Sequence, residues 1–175
     1  LPDRAGHQRG WWKGDVLMEE LLVYRQNLLT SLDRVVTELR QAAAAIPTEA
    51  WHTPLAPGQL TPHQVLAHLR ALEAGAIAVR LRHILDEQQP YLPLFDDDGW
   101  MAAHYDPSEP VTVILDDYAR LRQQELSWLR DLPSTAWNRT ARHPWWGVRA
   151  LQWWVEQALL IARQHLEQLT PATGR

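Results

Sequence analysis

Apolar residues recur along the chain in four long stretches at steps of three and four, the spacing of one face of an α-helix. The first predicted helix covers about residues 15–45, with Asp15 as N-cap and Leu21, Leu28, Leu32, Val35, Leu39, Ala42 and Ile46 as its seam. Pro47 ends it. The second opens at Thr61-Pro62-His63-Gln64, which puts Thr at the N-cap, Pro at the first helical position and Gln where a capping box needs it. It runs to about residue 87, with Val65, His68, Leu72, Gly75 and Val79 on one seam. A mid-helix glycine costs ~1 kcal/mol relative to Ala, so Gly75 predicts close approach of a neighbouring helix.

The third predicted helix spans about residues 110–131, buried through Val111, Ile114, Leu115, Tyr118, Leu121, Trp128 and Leu129. The last follows Gly147 and runs to about residue 169, with Leu151, Trp154, Ala158, Ile161, His165 and Leu169 on one face. Pro171 blocks its continuation. No strand and no repeat is predicted. The expected fold is all-α: a four-helix bundle over residues 15–170, with an N-terminal extension at 1–14 and a C-terminal tail at 171–175.

The connection over roughly residues 88–110 sets the expected topology. A second helix of roughly 26 residues is ~39 Å long, and some 20 extended residues reach ~65 Å. The chain can therefore return along the bundle before the third helix begins. An up-down-down-up order with a long crossover then brings His68, near the start of the second helix, level with His165, near the end of the last. His52, His104, Asp116 and Asp117 fall at the same end, and His83 and His143 at the other. The Asp96-Asp97-Asp98-Gly99 run lacks EF-hand spacing and predicts a cap, a turn and a short helix.

Composition narrows the function. The chain has 175 residues, 46% apolar and 22% charged, enough for one domain with its own core. A formal charge of −4 lacks the basic footprint of a nucleic-acid binder. The absence of cysteine excludes disulfides, thiolate catalysis and cysteine-ligated metals. No apolar run approaches the ~20 residues of a membrane span, and the N-terminal segment has no h-region, so a cytoplasmic location is expected. Ten tryptophans include three adjacent pairs, one member of which must lie at a boundary, as packing or as an interface. No phosphate-binding loop, zincin motif or nucleophile elbow is present. Arg122 calls for an acidic residue on the second helix or an anionic substrate, and the ion pair is the preferred reading. Glu125 and Asp131 read as solvated charges.

The segments TPHQVLAHLRALE, LDDYARLRQQELSWLRDLPSTAWNRTARHPWWG and ARQHLEQL, in that order, resemble the DinB/YfiT-like metalloenzyme family. The resemblance spans nearly all of residues 15–170. It implies an up-down-down-up four-helix bundle, commonly a homodimer, and a divalent metal, nickel or zinc, held by three histidines. His68 matches the histidine of the second helix. His165 matches the second member of an H-x-x-x-H pair in the last helix, and Ile161 occupies the position of the first. Arg122 and His143-Pro144 match further family positions. Relatives include transferases and isomerases using bacillithiol, mycothiol or glutathione.

Ile161 removes a donor that a three-ligand site requires. His104, on the crossover, is the preferred substitute, and the amide of Gln157 is a poor one. The reading is a DinB-like protein with an incomplete histidine triad, metal-free or weakly metal-binding. Two alternatives stay open: an active metal-dependent thiol S-transferase with a recruited third ligand, and a stress-related protein that binds a small thiol or apolar ligand, or dimerises, without catalysis.

Overall fold

The computed structural model describes residues 5–170, with side chains described from residue 16 onward. Helix α1 spans Ala5–Ala44. Asp15 therefore lies inside the helix and is not its N-cap. No proline interrupts residues 5–14, so nothing stops the backbone ladder from continuing upstream. The expected tail, 171–175, lies outside the described residues.

The second rod opens as predicted. The Thr61 hydroxyl accepts from the Gln64 N–H at 3.2 Å, and the Gln64 side chain accepts from the Thr61 N–H at 2.9 Å. The rod comprises α2 (Pro62–Leu72), a π-helical turn (Glu73–Ile77) and α3 (Ala78–Asp86). The crossover carries α4 (Asp97–His104), capped by Asp96, whose carboxylate accepts from the Gly99 N–H at 2.9 Å. Helix α5 spans Val111–Leu129 and α6 spans Leu151–Leu169.

Between α5 and α6 lies a feature the sequence reading lacked. Strands β1 (Thr140–His143) and β2 (Gly147–Ala150) form an antiparallel hairpin. Its turn, Pro144-Trp145-Trp146, ends at Gly147 with φ of 65°, a left-handed value that suits glycine. Four-residue strands are too short for alternation to stand out, so the segment read as a helix entry. The crossover is tied to this hairpin: Leu92 N–H donates to the Arg142 carbonyl at 2.8 Å, and Arg142 N–H to the Pro90 carbonyl at 2.9 Å.

Side-chain pairs give the helix directions. Asp33 meets Gln123 and Arg40 meets Asp116, so α1 and α5 run in opposite senses. Arg70 reaches Glu109 and Asp117 while Arg82 lies over Trp128, so the second rod and α5 run in the same sense. His68 meets His165 and Arg80 lies over Trp154, so the second rod and α6 are opposed. The chain is a four-helix bundle with α4 and the hairpin as additions. No helix among the described residues is long and apolar enough to cross a membrane.

The core has two apolar clusters. Leu28, Leu32, Leu81, Ile84, Leu126 and Trp154 belong to one, and Leu39, Leu66, Leu69, Ile114, Tyr118 and Leu169 to the other. A fully buried polar group is added to them: Arg122 contacts Glu73 at 2.8 Å, Glu125 at 3.0 Å and the Tyr118 hydroxyl at 3.0 Å. Glu125 is thus an interior residue, not a solvated charge. It lies three residues from Arg122 on the same helical face, so its partner comes from its own helix.

Burial pushes Glu125 well above the usual carboxyl range, and the nearby Glu73 charge adds to the shift, against the pull of Arg122. Burial also raises Glu73, with Arg122 and a hydrogen bond from Glu125 opposing. Burial and the neighbouring Glu73 thus favour the protonated form of Glu125, while Arg122 favours the charged form of Glu73. Burial works against the Arg122 charge, but Glu73, Tyr118 and Glu125 outweigh it and raise its pKa.

The π-turn shifts the helical phase. Residues 65–84 bury Val65, Leu66, Leu69, Glu73, Ala76, Ile77, Leu81 and Ile84, whereas Leu72 and Val79 from the expected seam are only partly buried. A π-turn closes i to i+5, so the apolar stripe moves by one residue across it. Gly75 does mark a close approach, but its neighbour is the Phe95 ring of the crossover, not another helix.

Two predictions follow from this core. Gly75→Ala places a methyl group into the Phe95 ring and is expected to lower stability by ~1–3 kcal/mol in urea unfolding. In a double-mutant cycle, Phe95→Ala should relieve part of that loss. The second concerns pH. The unfolded chain releases the Glu125 proton near about 4.3, whereas the folded chain keeps it to higher pH. In that window the folded state binds more protons, so stability falls as pH rises. Glu125→Gln should flatten this slope in denaturant titrations across the window, and an unchanged slope would contradict the assignment.

Candidate functional site

His68 sits in the second turn of α2 and His165 one turn from the end of α6, so opposed helices deliver both rings to one level. His68 Nδ1 and His165 Nε2 are 3.0 Å apart. The outer nitrogen of each ring has its own partner. His165 Nδ1 lies 2.7 Å from the Ile161 carbonyl, and His68 Nε2 lies 2.8 Å from Asp97 Oδ2.

These partners fix the protons. A carbonyl only accepts, so His165 Nδ1 carries a hydrogen and its Nε2 presents a lone pair. Burial opposes ionisation of Asp97, but the His68 hydrogen bond, the backbone donors of α4 and the His68 charge prevail and hold its carboxyl below the usual range. Asp97 is an anion that accepts from His68 Nε2–H. In the neutral ring, His68 Nδ1 is then also a lone pair. Two lone pairs facing at 3.0 Å repel unless a cation lies between them.

A proton satisfies this demand as an imidazole–imidazolium pair balanced by Asp97. Burial lowers the His165 pKa, with the Ile161 hydrogen bond opposing it and the His68 charge adding to it. A metal ion satisfies it too. His68 Nδ1 and His165 Nε2 would be its two donors. Asp97 and the Ile161 carbonyl are the kind of outer partners that orient metal-bound imidazoles.

The donor set nonetheless does not fit a three-imidazole centre. The Ile161 side chain offers no donor, and Asp97 stands on the far nitrogen of His68. Among the described residues, no group of three or more His, Cys, Asp or Glu is placed to hold a metal. His104, the expected substitute, is exposed at the end of α4, stacks on Trp100 with centroids 5.1 Å apart, and bonds the Trp100 carbonyl through Nδ1 at 3.0 Å. The crossover instead supplies Asp97, because α4 brings its first residue, not its last, to His68.

The other neighbours have separate duties. His63 is buried between the Tyr105 hydroxyl at 2.9 Å and the Glu109 carbonyl at 2.8 Å, with His52 packed on it. Asp116 pairs with Arg40, and Asp117 with Arg120 and Arg70. His83 pairs with Glu87, and His143 belongs to the hairpin. Asp97 was missed because the whole Asp96–Asp98 run read as a cap. Capping occupies Asp96 alone and leaves the next carboxylate free. Beside the pair, His165 lines a cavity of about 540 Å³ with Leu55, Ala56, Gln59, Gln164 and Gln168.

The sequence pattern of the DinB superfamily matches residues 31–169, most of the chain and both histidines. The chain belongs to the DinB superfamily. A curated relative from Oceanobacillus iheyensis, named "Putative metal-dependent hydrolase", is 30% identical over 106 residues, which cover 61% of this chain and 60% of the relative. YfiT from Bacillus subtilis, whose solved structure is described as "a probable metal-dependent hydrolase with an unusual four-helix bundle topology", matches with a TM-score of 0.74 at 20% identity over 83% of each chain. At that identity the YfiT match establishes the shared fold.

The proton assignment of this DinB-superfamily protein is open to measurement. Long-range ¹H–¹⁵N spectra of the metal-free protein are expected to report His165 as the Nδ1–H tautomer. Asp97→Asn should change the His68 ring pattern and leave the His165 tautomer in place. An Nε2–H tautomer at His165 would contradict the assignment.

Proposed function

We propose that this chain is a DinB-superfamily member whose metal centre is incomplete, so that it holds a divalent ion weakly or not at all. Its role is then to bind a small thiol-bearing or apolar ligand in the cavity beside His165. One observation carries this reading: the imidazoles of His68 and His165 face each other at 3.0 Å while an aliphatic side chain occupies the third family position. A two-donor site lacks the three protein ligands by which catalytic zinc is ordinarily held. In the metal-free chain the shared proton takes the place of the ion.

A second reading is favoured by the carboxylate behind His68. Asp97, bonded to the outer nitrogen, orients that ring, which would help a two-histidine site accept a ligand thiol as third donor. The protein is then a metal-dependent thiol transferase assembled only in the presence of its thiol. A bound metal there would act as a Lewis acid or lower the pKa of the coordinated thiol.

Elemental analysis of protein prepared without an affinity tag separates these readings from a complete metalloenzyme. Clearly less than one nickel or zinc per chain is expected, and stoichiometric metal would overturn the proposal. Ile161→His is expected to raise nickel or zinc affinity by at least ~10-fold, since it adds an imidazole one turn from His165. Thiol-transfer assays with bacillithiol, mycothiol and glutathione, with and without added metal, distinguish binder from enzyme. Metal-dependent turnover abolished by His68→Ala selects the second reading.

A further inference from the structure

At the other end of the second rod, the hairpin and α6 enclose a group of hydrogen-bond donors with nothing to receive them. Arg80 of α3 is 7% exposed, and its guanidinium carbon lies 5.4 Å from the Trp146 ring centroid and 5.5 Å from that of Trp154. Its Nε is buried without a partner. Among the described residues no carboxylate pairs with it. Of the nearby acids, Asp86 pairs with Arg82 at 2.8 Å, and Glu87, just past α3, stands 2.6 Å from His83.

His143, at the end of β1, is 1% exposed and stacks on Trp146 with centroids 4.3 Å apart. Its Nδ1 accepts from the Trp145 N–H at 3.2 Å, so the hydrogen of the neutral ring is on Nε2. Burial first, and the Arg80 charge second, lower the His143 pKa and keep the ring neutral. That Nε2–H is buried and unpartnered, as is the indole N–H of Trp154, whose ring centroid is 5.5 Å from that of His143. Three N–H donors, one on a cation, thus share one nest with no acceptor. Buried polar groups are paired in the great majority of folded proteins, and a buried charge more strictly still. Water would satisfy a donor but would leave the guanidinium without a counter-charge.

The rim of the nest is aromatic and open. Trp145 is 71% exposed and Trp146 39%, and their rings stand at 87° with centroids 6.3 Å apart. They form an indole corner next to the donors.

We propose that Arg80, His143 and Trp154 form an anion site that receives the carboxylate of a small ligand, and that Trp145 and Trp146 hold the ligand's flat apolar part. A guanidinium matches a carboxylate in shape and charge, and indole faces match a planar apolar group. The site stands apart from the His68–His165 pair and does not depend on the function proposed for that pair.

The test is titration of the intact chain with sodium benzoate, sodium acetate and neutral benzamide, followed by the indole N–H resonance of Trp154 in ¹H–¹⁵N spectra and assigned with Trp154→Phe. Benzoate is expected to shift that resonance saturably and to bind more tightly than acetate, and benzamide to leave it in place. Arg80→Met should weaken benzoate binding by about 10-fold or more, as loss of a charged donor does, without loss of the folded state in thermal unfolding. If that variant fails to fold, Trp154→Phe keeps an aromatic side chain but removes the N–H donor, and weaker benzoate binding by calorimetry supports the site. Equal affinity for benzamide, unchanged affinity in Arg80→Met, or no response to benzoate would each overturn the anion site. Equal affinity for acetate and benzoate would overturn the role of the indole corner.

Discussion

A guanidinium cannot shed its proton in a protein interior, so Arg122 must be answered by other groups wherever it is buried. Here Glu73, Glu125 and Tyr118 answer it, and burial with the Glu73 charge pushes the Glu125 carboxyl well above its usual range, because a single cation does not balance two anions out of water. The ion pair joins α5 to the first residue of the π-turn. It therefore holds the turn where the second rod changes phase. His68 lies on one side of that turn and Arg80 on the other, so the turn sets the helical phase between the histidine pair and the donor nest.

The features legible in the sequence were those decided by chemistry within a few residues. The Thr61 capping box, the stop at Pro47, the start at Pro110 and the Asp96 cap all depend on local backbone donors and acceptors. The common level of His68 and His165 followed from crossover length and helical period, which are also nearly local quantities. Asp97 and the π-turn were opaque because one is defined by a partner distant in sequence and the other by a break in periodicity, and Glu125 because burial of its own-helix partner Arg122 depends on other helices. An isolated Glu on an amphipathic helix looks solvated until Glu73 of another helix is placed beside it. The hairpin failed differently, since its four-residue strands carry too few positions for alternation to register. The upstream start of α1 was hidden by Asp15, a residue that caps a helix only where the preceding backbone leaves the helical region.

The two sites are electrostatic opposites built on the same pair of elements. Where α2 meets the end of α6, acceptors hold the outer nitrogens and leave two lone pairs in opposition, which calls for a cation. Where α3 meets the start of α6, donors crowd together around a guanidinium, which calls for an anion. Opposed helices make this possible, because a second rod running against α6 places its beginning and its end in different neighbourhoods of one partner. The apolar clusters around Leu39 and Leu81 belong to these two neighbourhoods.

Ile161 shows why loss of a donor need not dismantle the rest of a site. Its side chain contributes no ligand, yet its carbonyl still accepts from His165 Nδ1–H and still fixes that ring. The carbonyl belongs to the backbone of α6 and is present whatever residue occupies the position. Asp97 is likewise independent of position 161, because it arrives on the crossover and is released by the Asp96 cap. The orientation of both imidazoles is therefore decoupled from the donor count. The two imidazoles stay aligned whatever side chain stands at position 161, backed by a carboxylate on one side and a carbonyl on the other. The alignment of the two rings is thus set by hydrogen bonds from Asp97 and the Ile161 carbonyl.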